Sequence, residues 1–228
     1  MKTKIKTKNF NLLVVAHPDD ESIFFAGLLM KQSKAQWKVI LMTDADADGH
    51  GRARMNQFDR AMKRLKVKKI ECWQYPDIYE QRLPVEEIAL RLMQEKALKV
   101  YTHGIIGEYG HPHHQDVSFA VHLAFAEKKV MSVAYNCFPN ESIQLPKSSY
   151  QMKTKVLSQV YQEETRMFSN FLPATSTESF VSVSFKEVQS LYEFFTKGKK
   201  PSLKNLKVYQ WYWPYLAAQK RKSLPRPF

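Results

Sequence analysis

Cysteine is nearly absent from the sequence. Cys72 and Cys137 lie far apart and form no CxxC pair. A disulfide framework is therefore excluded, and a reducing cytosol fits. Long hydrophobic runs are absent too. The apolar stretch behind the basic N-terminus reaches only from Leu12 to Ala16, too short for a signal-peptide core, and no small-residue cleavage site follows it. Nothing approaches the ~20 apolar residues of a membrane-spanning helix. A soluble protein of the cytoplasm is expected, with peripheral contact at a membrane left open. Acidic residues are scarce: 22 against 35 Lys and Arg, a net charge of +13. Such an excess attracts anions. A basic solvated surface without a partner explains it equally well. The clusters at Lys2–Lys8, Lys63–Lys69, Lys197–Lys200 and Lys220–Lys222 are modest. No Arg-rich tract or zinc-finger spacing marks a specific nucleic-acid module.

Repeats, low-complexity segments and linkers are also missing. The 228 residues suffice for one domain near the upper size of a single core. One domain over 1–228 is expected, with a core at about 10–140 and a more variable part at 141–228. A hydrophobic share of 44% excludes disorder of the whole chain.

The first 140 residues alternate between strand-like and helix-like segments. Asn11–Ala16, Trp37–Met42, Lys69–Trp73, Leu98–Thr102 and Val130–Tyr135 read as strands. Helical spacing marks Asp20 to about Lys31, Arg54–Leu65, Val85–Lys96 and His114 to about Glu127. This order predicts an α/β fold, a mostly parallel sheet with helices on both faces. Beyond Pro139 the pattern loosens. Met152–Phe168 and Phe185–Thr196 read as helices, Ser179–Ser184 as a strand, and Val208–Leu216 is strongly aromatic. Ligands of such sheets bind beyond the carboxyl ends of the strands. Six of the seven histidines fall on loops at that edge: His17, His50, His103, His111, His113 and His114.

Ala16–Glu21 reads AHPDDE and directly follows the first strand. Pro18 suits the first position of a helix. Asp19, Asp20 and Glu21 would then crowd its first turn, where the helix dipole favours them but they repel one another. A bound cation relieves that repulsion. His17 and Asp20, three apart at a strand-to-helix turn, can aim at one point. The HPHH run, His111–His114, offers a third ligand from a second loop. Imidazole and carboxylate both suit Zn²⁺, and catalytic zinc uses three protein ligands and an open position. Taken singly, an Asp pair at a helix start usually caps it, and a loop histidine is usually solvated. Their joint placement at strand ends is what favours a metal.

Together these motifs resemble the LmbE-like deacetylase family. It includes the N-acetylglucosaminyl-phosphatidylinositol de-N-acetylases and the deacetylases of mycothiol and bacillithiol synthesis. The resemblance rests on AHPDDE at Ala16–Glu21 and on H-P-x-H at His111–His114 inside GEYGHPHH. Thr102–His103, Arg54 with Phe58, and Pro76–Asp77 add to it. It spans roughly residues 10–135, and Glu178–Ser179–Phe180 matches loosely beyond. It implies a Rossmann-like fold, with His17, Asp20 and His114 as zinc ligands and Asp19 as general base. It also implies that His111 stabilises the oxyanion or protonates the leaving amine. Two positions depart from the pattern. His113 stands where Asp is common, and Gln57 where the helix usually has Glu.

The implied reaction is removal of acetyl from an N-acetylated amino sugar or its conjugate, by water activated on zinc. Arg54 would hold a hydroxyl or phosphate of the substrate, or else form a surface salt bridge. The charge and the aromatic, basic C-terminus favour an anionic or lipid-linked substrate and peripheral membrane contact; homo-oligomer formation is left open. The rivals are a metal-dependent hydrolase of another bond, such as a phosphoester, with the Asp44, Asp46, Asp48 run as a second ion site, and a non-catalytic anion- or lipid-binding protein with a structural metal.

Overall fold

The continuous apolar runs become the centre of one seven-stranded sheet. The computed structural model describes residues 10–31, 36–135, 137–165 and 174–218. Its strands are β1 (Phe10–Val15), β2 (Trp37–Thr43), β3 (Lys69–Tyr75), β4 (Ala97–Thr102), β5 (Val130–Val133), β6 (Glu141–Gln144) and β7 (Thr177–Ser182). They lie in the order β3-β2-β1-β4-β5-β7-β6. The first five pair in parallel, and β7 pairs antiparallel with both β5 and β6. The expected mostly parallel sheet, with helices on both faces, is what forms. Strand order reverses beside β1: β2 and β3 lie on one side, β4 and β5 on the other. Such a reversal opens a crevice at the carboxyl ends, between β1 and β4.

Successive residues of β1 point to opposite faces. Leu12 and Val14 join a core with residues of α3 (Val85–Leu92), α4 (Pro112–Ala124) and α7 (Phe185–Lys197). Leu13 and Val15 join a second core with residues of α1 (Asp20–Lys31), α2 (Gly51–Arg64) and α5 (Lys147–Gln159). A strand covered on both faces favours apolar residues at successive positions, which is why β1 reads as an unbroken apolar run from Leu12 to Val15.

Several boundaries differ from the sequence reading. α1 begins at Asp20, so Pro18 and Asp19 lie in the turn before it. α3 stops at Leu92, where Gln94 and Glu95 close tighter turns onto Arg91 and Leu92. α4 starts two residues earlier than expected, with Pro112 in its first turn. The expected helix over Met152–Phe168 divides into α5 and α6 (Gln162–Thr165), and 166–168 lie outside the described residues. β6 was not expected. Only Ile143 of its four residues is buried, so it carries no readable alternation. The aromatic C-terminal stretch packs in part on the core, through Tyr209 and Leu216. Trp211 and Tyr215 stay 38% and 62% exposed. Tyr215 and Leu216 belong to α8 (Trp213–Ala218). Lys220, Arg221, Lys222 and Arg226, like Lys2–Lys8, lie outside the described residues. Among the described residues, no helix is long and apolar enough to cross a membrane.

One buried ion pair joins α5 to β7, and its carboxylate also holds α1. Glu178 Oε1 accepts from Lys153 Nζ and from the Gly27 N–H, both at 2.8 Å, and its Oε2 accepts the Leu28 N–H at 2.8 Å. Burial pulls the Lys153 ammonium below its ordinary range, and the Glu178 charge opposes that. A methyl group at Gly27 would lie 2.9 Å from Glu178 Oε2 and 2.5 Å from Leu145 Cδ1, so the carboxylate reaches the helix only past a glycine. Glu178→Ala strands the Lys153 charge and two backbone donors. It is expected to cost about 3–5 kcal/mol of folding stability in urea unfolding. A loss below about 1 kcal/mol would show that the pair holds nothing in place.

Candidate metal centre

The crevice beside β1 gathers two loops. His17 follows β1 by two residues, and Asp20 opens α1 where the dipole favours a carboxylate. His114 lies in the first turn of α4. His17 Nδ1 lies 3.3 Å from His114 Nε2 and 3.6 Å from Asp20 Oδ2, and His114 Nε2 lies 3.3 Å from Asp20 Oδ1. All three side chains are buried. Ligands about 2.0–2.1 Å from one tetrahedral zinc stand roughly 3.3 Å apart. The donor types suit zinc, with the two histidine nitrogens at that spacing and each close to one oxygen of the Asp20 carboxylate.

A buried hydrogen-bonded frame surrounds these groups. His114 Nδ1 donates to Glu108 Oε2 at 2.6 Å, which leaves the Nε2 lone pair facing the other two residues. Glu108 also receives His103 Nδ1 at 3.1 Å and the Gly104 N–H at 2.8 Å. Burial pushes Glu108 up, but His103, and then His114, bring it down to about 2. Asp20 Oδ2 accepts the His17 N–H at 2.8 Å, and His103 Nε2 accepts the Ala16 N–H at 3.1 Å. The loop after β4 is thus tied to the loop after β1. Burial raises Asp20, and the neighbouring His114 and His103 outweigh it and hold it well below the ordinary carboxylate range. Burial likewise works against charge on His17, while Asp20 and Asp77 hold it up at about 9. A cation has to compete with that proton, so occupancy falls as pH falls.

Asp19 lies beside this set with φ 104°, a backbone conformation that non-glycine residues rarely adopt. Its carbonyl accepts the N–H groups of Ser22 and Ile23, both at 2.8 Å, and so starts α1. Burial and the neighbouring Asp20 charge push the Asp19 carboxyl well above its ordinary range. Glu21, fully buried behind it, accepts from Ser22 Oγ at 2.6 Å and Tyr161 OH at 2.9 Å, and burial lifts it to about 7.

His111 caps α4: its Nδ1 accepts the His113 N–H at 3.2 Å. In the neutral ring the proton is then on Nε2. Burial, then repulsion from His114 and His17, pulls its pKa well below that of free histidine. Of the two roles implied for His111, the hydrogen-bond donor to an oxyanion fits this geometry. Gly107, at φ +76°, makes the preceding turn, where a methyl would meet His111 O at 2.5 Å.

A cleft of about 720 Å³ opens over the site. His17, Asp19, Asp20, Arg54, Gln57, Asp77, Tyr109 and His111 line it. Arg54 faces this cleft as the substrate reading requires, and its Nε also stands 3.5 Å from Glu164 Oε1 of α6. The expected second-ion run is otherwise employed. Asp44 Oδ1 accepts from the N–H groups of Asp46 and Asp77, Asp46 from Gly51, and Asp48 from His50. These carboxylates shape the loop. The His113 ring lies tilted against that of His111, with centroids 5.4 Å apart. It reaches His17 Nε2 at 3.3 Å and Asp77 Oδ1 at 3.2 Å. Glu108, His103 and Asp77 took no site role in the sequence reading, although GEYGHPHH, Thr102–His103 and Pro76–Asp77 all stood among the motifs of the resemblance.

The crevice at the switch point of this α/β sheet thus gathers two histidines and an aspartate, with Asp19 at a strained backbone position beside them. Residues 12–125 match the model of the GlcNAc-PI de-N-acetylase (PIG-L) family, half of the chain, and the chain belongs to that family. It is 31% identical over 135 residues to "Uncharacterized protein L374" of Acanthamoeba polyphaga mimivirus, which covers 52% of this chain; the chain spans 59% of that relative's length. Among solved structures it resembles the N,N'-diacetylchitobiose deacetylase of Pyrococcus horikoshii, with TM-score 0.62, 17% identity, and 79% of this chain and 85% of that one covered. The 4-carboxy-2-hydroxymuconate hydratase GalB of Pseudomonas putida shares the fold at TM-score 0.54 and 15% identity, over 77% and 96% of the two chains.

Proposed function

We propose that this protein is a zinc-dependent deacetylase of an N-acetylated amino sugar or its conjugate. The observation that carries the reading is the convergence of His17, Asp20 and His114 beneath a cleft that also presents Asp19. Family membership supports amide hydrolysis. Zinc bound to the three would lower the pKa of a water from about 15.7 towards about 7 and polarise the acetyl carbonyl. Asp19 takes the proton of the attacking water; burial and the Asp20 charge raise its pKa above the ordinary carboxylate range, which strengthens it as a base. The Nε2–H of His111 donates to the oxygen that becomes negative. Asp19 then returns the proton to the departing amine. Arg54 holds a hydroxyl or anionic group of the substrate from the cleft wall. The net charge of +13 and the exposed Trp211 and Tyr215 support an anionic or lipid-linked conjugate met at a membrane surface. The two free cysteines suit the cytoplasm.

The test is release of acetate and free amine across a panel of neutral, anionic and lipid-linked N-acetylglucosamine conjugates, followed by mass spectrometry over a range of pH. Turnover should rise with pH through a limb above the ordinary carboxylate value of about 3.9, because Asp19 must be deprotonated to act. Burial and the neighbouring histidines pull His111 below the ordinary histidine range, so His111→Gln should lower the rate yet leave the alkaline side unchanged. An alkaline limb that vanishes in His111→Gln would make His111 the acid instead. Hydrolysis of phosphoesters with no amine released from any conjugate would overturn the deacetylase reading.

A further inference from the structure

His17 has a second nitrogen, and it faces a second set of donors. His17 Nε2 lies 3.3 Å from His113 Nδ1 and 3.4 Å from Asp77 Oδ1, and those two atoms lie 3.2 Å apart. The residues are 7%, 1% and 7% exposed in the order His17, His113, Asp77. These three edges are as even as those of the first set, and they match the roughly 3.3 Å between ligands of one tetrahedral zinc.

Hydrogen bonding alone accounts poorly for such a triangle. His113 Nε2 faces the Gln81 carbonyl oxygen at 3.1 Å, so in the neutral ring Nε2 carries the proton and Nδ1 presents a lone pair. Asp77 Oδ1 presents lone pairs as well. Only the Nε2 proton of His17 is left for three edges. The carbonyl behind His113 is the outer partner a ligating histidine usually has. Asp77 is held by its own N–H, which donates to Asp44 Oδ1 at 2.9 Å. It also lines the cleft, so the site is open to incoming ions.

We infer that His17 Nε2, Asp77 Oδ1 and His113 Nδ1 form a second divalent-cation site, joined to the first through the His17 ring. The N₂O donor set suits a borderline first-row ion such as zinc. As this cation binds, the Nε2–H bond of His17 breaks, the proton leaves to water, and the nitrogen pair forms the new bond. The imidazolate then bridges two ions. The inference rests on the reading of His17 Nδ1 as a zinc ligand.

The test is a zinc titration of metal-free protein against a chromophoric chelator, on wild type, His113→Gln, Asp77→Asn and His114→Ala, with circular dichroism as a check of folding. Wild type should bind two equivalents, the second more weakly. His113→Gln and Asp77→Asn should each bind one equivalent tightly, and His114→Ala should lose the tight one. Two equivalents in both His113→Gln and Asp77→Asn would overturn the inference. A single equivalent in wild type, lost in His114→Ala, would overturn it and leave the deacetylase site standing. No zinc bound at all would remove both. Cobalt in place of zinc gives an independent readout: two ions sharing one imidazolate couple magnetically, and uncoupled cobalt at full loading would count against the bridge.

Discussion

Asp19→Asn should keep the tight zinc and lose about 10²–10⁴-fold in kcat, the usual contribution of a general base. The substitution is close to isosteric, and Asn tolerates positive φ better than most residues, so the backbone that starts α1 has no reason to move. Nearby carboxylates offer no substitute. Glu21 is fully buried and committed to Ser22, Tyr161 and the Asp19 N–H. Asp44 is committed through Oδ1 to two backbone donors. Zinc content by elemental analysis and kcat from amine release check the pair of claims. Near-normal turnover would take the proton transfer away from Asp19.

His114→Ala should abolish the tight zinc and, with it, amine release above background. The same change removes the donor 2.6 Å from Glu108 Oε2 and leaves that buried carboxylate only His103 and Gly104. Losing one partner of a buried charged hydrogen bond costs about 1–3 kcal/mol. The thermal midpoint should therefore fall without metal and stop responding to added zinc at low excess. In wild type, ligand at about 100 times its Kd adds about 2.7 kcal/mol. A midpoint in His114→Ala that still climbs with the first equivalent would displace His114 from the ligand set.

These outcomes also separate what could be read in the chain from what could not. β1 and β2 were legible because burial on both faces demands unbroken apolar runs. His17 and Asp20 were legible because they follow β1 within five residues. His114 depended on a motif, since its contact with His17 bridges a separation of 97 residues. Glu108 and Asp77 were illegible as partners: each is one acidic residue in a loop, and only the strand order brings it to the crevice. The left-handed backbone at Asp19 left no mark either, because the sequence has an ordinary aspartate where geometry alone would ask for glycine. β6 escaped because a four-residue edge strand with one buried side chain has no period to detect.

The backbone at Asp19 has an evolutionary consequence. A side chain held at φ 104° costs about 1–3 kcal/mol, and glycine would recover much of that. Lineages selected for folding alone would drift to glycine at position 19 and become sturdier and inert. Directed evolution of this protein for heat tolerance, without an activity screen, would find that substitution early. Persistence of the aspartate in such a population therefore reports selection on chemistry rather than on fold, and its loss would mark a copy that has given up turnover while keeping its shape.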